Sequence, residues 1–104
     1  MSERAAFDVG QIIRHRLFGY RGVVIDVDPQ FGLSEEWYQQ VARSRPPKDR
    51  PWYHVLVHGG ADQTYVAERN LELDEEAVPI EHPDLESHFT GFEAGRYLAT
   101  RQVN

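Results

Sequence analysis

Gly19-Tyr20-Arg21-Gly22-Val23-Val24-Ile25-Asp26-Val27-Asp28-Pro29 is the stretch that decides the fold. Its β-branched run alternates, with Val23, Ile25 and Val27 on one side and Val24, Asp26 and Asp28 on the other, the period of a half-buried strand. Gly19 supplies the positive φ of a tight turn, and Gly22, inside the pattern, points to a bulge or a close approach of another backbone. Pro29 has no N–H for a ladder, so pairing is expected to stop there.

Upstream, Gln11 to Leu17 alternates in the same way, placing Ile13, His15 and Leu17 on one face and Ile12, Arg14 and Arg16 on the other. The glycine-bearing join between the two segments is short enough for a hairpin. Residues 1 to 7 have no period and are expected to be a loose lead-in. Downstream, Ser34 is placed as an N-cap, Glu35 and Glu36 suit the positive end of a helix dipole, and Trp37 with Val41 and Tyr38 with Ala42 pair at i, i+4. This helix of three turns or fewer must end before Pro46-Pro47. Arg43 to Arg50 then forms a proline-stiffened connection of net charge +3.

Trp52 to His58 is a third strand, Gly59 to Asp62 a turn and Gln63 to Glu68 the returning strand. Arg69-Asn70-Leu71 has the look of one helical turn, Ala77 to Ile80 of a short edge strand, and Pro83 to Phe89 of a short helix. Residues 90 to 104 show no repeat and are expected to form a tail that docks weakly or is ordered by a partner. The sum is a mainly β fold of about five antiparallel strands, with a short helix inserted between strands 2 and 3, bent or closed to hide its edges.

The chain has 104 residues, 40% of them hydrophobic, enough for one small domain. It has no cysteine, which excludes disulfides and thiolate chemistry. No apolar run approaches the roughly 20 residues of a membrane helix, and no secretory h-region follows Met1, so a cytoplasmic location and no membrane partner are expected. The net charge is −6. Residues 1 to 58 carry 8 Lys and Arg against 7 Asp and Glu, and residues 59 to 104 carry 3 against 10, so the acidity belongs to the C-terminal part.

Three constellations could carry chemistry. His54 and His58 invite a metal, but four strand residues separate their Cα atoms by roughly 13 Å, too far for one ion. His15, His82 and His88 have no better spacing, and neither a metal nor a cofactor is expected. Asp26 and Asp28 share a face about 7 Å apart, a spacing at which carboxylates can act as acid and base. No nucleophile or phosphate-cradling loop accompanies them, so a solvated rim is preferred and a non-enzyme is expected. The third is basic and aromatic: Arg14, Arg16, Tyr20 and Arg21 near the first hairpin, extended by Arg43, Arg45, Lys48 and Arg50. Guanidinium groups suit phosphates and rings suit bases, but an ordinary solvated surface explains the same residues equally well.

Gly19-Tyr20-Arg21-Gly22-Val23-Val24 with Asp26-Val27-Asp28-Pro29, then Pro51-Trp52-Tyr53-His54-Val55, then Tyr65-Val66-Ala67-Glu68 with Asn70-Leu71, resemble in order and spacing the HspQ family, also called YccV-like or hemimethylated-DNA-binding. The resemblance covers residues 7 to 89. It implies an SH3-like barrel, placed here at residues 1–89 with a C-terminal tail at 90–104. It further implies a small bacterial heat-shock protein that binds hemimethylated double-stranded DNA and restrains expression of the replication initiator. The family is also associated with a role as specificity factor for the Lon protease and its substrates. An adaptor needs apolar anchors, and Phe89, Phe92 and Tyr97 of the aperiodic C-terminus are the candidates.

Overall fold

The computed structural model describes residues 5–42 and 44–99. β1 (Ile12–His15) and β2 (Arg21–Asp28) form the first hairpin, with α1 (Glu35–Val41) following before β3 (Trp52–Val57). β4 (Gln63–Ala67) leads through a 3-10 turn at Glu68–Asn70 into β5 (Leu71–Leu73), and α2 (Leu85–His88) precedes a second hairpin of β6 (Phe89–Glu93) and β7 (Arg96–Ala99). The five-stranded antiparallel sheet runs in the order β4-β3-β2-β1-β5, and β6 and β7 form a sheet of their own. None of the described helices is long and apolar enough to cross a membrane.

The edge strands β4 and β5 are joined by three residues. In a flat sheet, four strand spacings of about 4.8 Å would hold these edges about 19 Å apart. A three-residue 3-10 turn rises only about 6 Å. The sheet must therefore roll until its edges approach, although no ladder joins β4 to β5 among the described residues.

Both faces of the sheet are covered. Ile13, Val24, Tyr53, Val55, Val66 and Leu71 fill one side; Ile12, Val23 and Leu56 meet Ile80, Phe89 and Tyr97 on the other. A third cluster of Tyr38, Ala42, Trp52 and Ala67, with Phe31, Trp37 and Tyr65, seats α1. Ser34 caps that helix by accepting a hydrogen bond from the Trp37 N–H, as its side chain and the acids after it suggest.

Of the two readings of Gly22, the close approach holds: a Cβ there would lie 2.5 Å from Leu56 O. Three expectations need correction. The bulge falls at Ile25, between the pairs Val24↔Val55 and Asp26↔His54. Because the extra residue reverses the alternation, Val27 packs with Val24 rather than with Val23 and Ile25. The first strand ends at His15, whose Nδ1 accepts hydrogen bonds from the N–H groups of Leu17 and Phe18 and so starts the turn early. The fifth strand is Leu71–Leu73 rather than Ala77 to Ile80, where Ala77 has a φ of 48° and cannot continue a strand.

Residues 90 to 99 are not an aperiodic tail. Ala94 and Gly95 have φ of 53° and 82°, the left-handed pair of a two-residue hairpin turn. This second hairpin docks through the Tyr97 N–H on Gly10 O at 2.8 Å.

Candidate functional site

A groove of about 720 Å³ opens between the β1–β2 loop, α1 and strands β3 and β4. Its floor is aromatic. Trp52 and Tyr65 stack with centroids 5.2 Å apart, and Trp37 meets Tyr65 edge-on at 5.6 Å. Its lips are apolar and exposed: Leu17 is 65% and Phe18 77% accessible on one side, with Leu33 and Val41 on the other. Large hydrophobic side chains held in water around one concavity mark an interaction surface.

His15 and Tyr20 close the end of the groove nearest the first hairpin. The His15 ring stacks on Phe18 at 4.5 Å, and burial pushes its pKa below the ordinary histidine value. The two N–H groups donated to Nδ1 agree with a neutral ring, because an imidazolium would present a donor there. Tyr20 donates to or accepts from Thr64 Oγ1 at 2.8 Å, and burial raises its phenol pKa.

At the groove's other end the bulge matters. With regular pairing, Ile25 would oppose His54 and Asp26 would oppose Tyr53 in the core. With Ile25 extruded, Asp26 opposes His54 and Asp28 lies two residues along on the same face. Asp28 Oδ2 accepts from the Tyr65 hydroxyl at 2.6 Å and lies 3.3 Å from His54 Nε2. Tyr65 Oη in turn accepts from the Gly32 N–H at 2.9 Å. Burial first, and then the hydrogen bond to Asp28, push the Tyr65 phenol well above its usual range.

The basic residues divide into two groups. Arg14 and Arg21 converge on Asp74, whose side chain is 3% exposed, at 3.5 and 2.8 Å. Arg21 also donates to Val78 O at 2.6 Å, while Arg16 donates to Leu71 O and pairs with Glu72 at 3.4 Å. These three guanidinium groups therefore already have acidic partners from β5 and the segment after it. The second group lies in the connection to β3, whose Ser44 and Pro46 line the groove. Arg45 donates to Gln39 Oε1 at 2.6 Å, and Lys48 sits 4.3 Å from the Tyr38 ring centroid and pairs with Glu35. The Lys48 hydrogen bond holds the exposed Glu35 carboxyl below its ordinary pKa. Arg50 is exposed, and Arg43 lies outside the described residues.

Phe89 and Tyr97, expected as accessible anchors, are 6% and 8% exposed, and Phe92 packs against them. They are core residues because the hairpin that carries them covers the sheet. The groove's apolar lips went unnoticed in the sequence, although Leu17-Phe18 beside Gly19 is a visible signal: two large hydrophobic residues at a hairpin tip have no core to enter.

A family model described as hemimethylated DNA-binding protein YccV like matches residues 5–96.

Proposed function

The chain belongs to the YccV-like family, and from that premise we propose that it is a non-catalytic module binding hemimethylated duplex DNA through the aromatic groove and the basic connection beside it. The observation that carries this reading is the juxtaposition of exposed Leu17, Phe18, Leu33 and Val41 with Ser44 and Pro46 of the cationic segment around one concavity. A methyl on an adenine adds one apolar group at the major-groove edge, so its reader needs an apolar contact there and cationic contacts that fix register. Arg45 and Arg50 are the phosphate contacts in this reading, with Lys48, paired with Glu35, beside them. Arg14, Arg16 and Arg21 are better placed to hold β5 than to reach a duplex, given their acidic partners.

Burying one methyl contributes about 0.8 kcal/mol, so a hemimethylated duplex should bind about fourfold more tightly than its unmethylated twin. Anisotropy titrations of duplexes identical except for that methyl test this. Phe18→Ser should remove the preference, and Arg45→Ala with Arg50→Ala should reduce the salt slope by about 0.9 for each phosphate no longer neutralised. Equal affinities for the two duplexes would reject the reading.

An SH3-like barrel is part of the same proposal, supported by the strand order and by the three-residue link that brings β4 and β5 together. So is a heat-shock regulatory role in the cytoplasm, for which a rise in abundance after a temperature upshift is the check. A second reading, specificity factor for the Lon protease, is favoured by the same exposed lips, since an apolar peptide segment fits such a groove. If it holds, Phe18→Ser abolishes stimulation of client degradation while duplex binding survives; unchanged stimulation would dismiss the groove from that role.

A further inference from the structure

Asp26, Asp28 and His54 contribute nothing to the apolar lips or to the basic connection, yet the bulge at Ile25 gathers them on one face of the sheet. One ligand atom from each lies within 4.8 Å of the other two. Asp28 Oδ2 and His54 Nε2 are 3.3 Å apart. Two donors each about 2.1 Å from one ion are separated by about 3.0 Å at an octahedral right angle and about 3.4 Å at a tetrahedral angle. The observed pair falls between those values. Asp26 offers a carboxylate oxygen within 4.8 Å of both of these donors, and its Oδ1 accepts the Val27 N–H at 2.9 Å.

We propose that Asp26, Asp28 and His54 form a binding site for one divalent first-row transition-metal ion, of the Mn²⁺ to Zn²⁺ class. Two carboxylate oxygens and an imidazole nitrogen, without a thiolate, select that class over soft Cu(I). Asp26 is exposed, and the side chains of His54 and Asp28 are 23% and 29% accessible, so water can fill the remaining positions of an open site. The supporting shell is built: the Tyr65 hydroxyl fixes Asp28, and the Tyr65 ring packs on His54 with centroids 4.6 Å apart. Tyr65 is thus a positioning residue. Gly32 comes close to this shell, since a Cβ built there would lie 2.9 Å from Asp28 Oδ2.

The competing explanation is that Asp28 and Tyr65 merely tie the loop at Gly32 to β4. That tie uses Asp28, Tyr65 and the Gly32 N–H and has no need of Asp26, so Asp26→Asn separates the two. Metal-free full-length protein is titrated with Co²⁺, followed by its visible d–d absorption, and with Zn²⁺ in a calorimeter. One saturable site is expected. Asp26→Asn and His54→Gln should each weaken it at least tenfold, Asp26→Asn while leaving the thermal midpoint in chelator unchanged, and Tyr65→Phe, which keeps every ligand, should weaken it about tenfold. Absence of saturable binding below millimolar metal would overturn the site. So would undiminished binding in both Asp26→Asn and His54→Gln, which would move the ion to other histidines such as His58 or His82.

Discussion

Asp74 is the residue on which two of the arginines expected to face a phosphate converge. Its carboxylate is almost fully buried between Arg14 and Arg21, with Arg21 Nε at 2.8 Å. Removing Arg21 leaves the buried carboxylate with only the longer Arg14 contact at 3.5 Å, so Arg21→Ala should cost about 2 kcal/mol, less than for a buried charge left with no partner, read as a lowered denaturation midpoint at constant m-value. The double variant Arg21→Ala with Asp74→Ala should lose less than the sum of the singles; strict additivity would show that the pair is not coupled. His15 sets a second expectation. Its folded pKa lies below the ordinary value because of burial, whereas the unfolded chain takes up the proton at about pH 6.5. The stabilisation is therefore complete above that pH and is lost as pH falls through the folded pKa, where the unfolded state binds more protons. Thermal unfolding between pH 7.5 and 5 should show this slope in the native protein and a shallower one in His15→Asn, whose amide oxygen can still accept the turn's N–H groups. Equal slopes would remove His15 from the pH response.

Alternation is a signal of the element, and it located β2, β3 and β4, while Ser34 and the acids after it located the cap of α1. It failed where one residue breaks the count silently. Ile25 is as β-branched as Val24 and Val27, so the period of two continues through it on paper, and only the partner strand reveals that it is extruded. Everything after it changes face, which is why Asp26 and Asp28 could be paired with each other in the sequence but not with His54. The second hairpin was hidden for a related reason: Ala94-Gly95 lacks the asparagine or aspartate that ordinarily announces a left-handed turn pair. The groove was illegible because its walls come from four separate segments of the chain. At Gly22 the element makes its own prediction. A Cβ would stand 2.5 Å from Leu56 O and 2.6 Å from Val55 Cγ1, and β2 cannot retreat because β1 holds it from the other side. Gly22→Ala should destabilise the protein by about 3 kcal/mol; a loss near zero would mean that β3 yields at no cost.

At the scale of the molecule, the uneven charge of the sequence becomes a tie between its parts. Arg14, Arg16 and Arg21 of the near-neutral N-terminal region take Asp74 and Glu72 of the acidic C-terminal one, and Arg96 returns to Asp8 at 3.4 Å. The second hairpin completes the tie with apolar surface. Tyr97 donates to Ile80 O at 3.2 Å, its Oη accepts the Ile80 N–H at 3.0 Å, and its ring covers Ile12, Val23 and Leu56 together with Phe89. Burying Tyr97 and Phe92 contributes about 4 kcal/mol, a large part of the 5 to 15 kcal/mol that keeps a typical domain folded. Deleting residues 90 to 104 should therefore lower the unfolding midpoint steeply and make the protein bind a dye specific for exposed apolar surface. Such a truncation would also impair any partner assay through the fold alone, so loss of an activity on deletion does not locate that activity in the hairpin. Gly10→Ala gives an independent check of the docking. The new Cβ would fall 2.2 Å from Tyr97 O at a φ of 94°, so the hairpin should detach with its residues still present, and hydrogen exchange should accelerate in both β6 and β7. Slow exchange in β6 and β7 of this variant would show that the hairpin is held by interactions other than the one at Gly10.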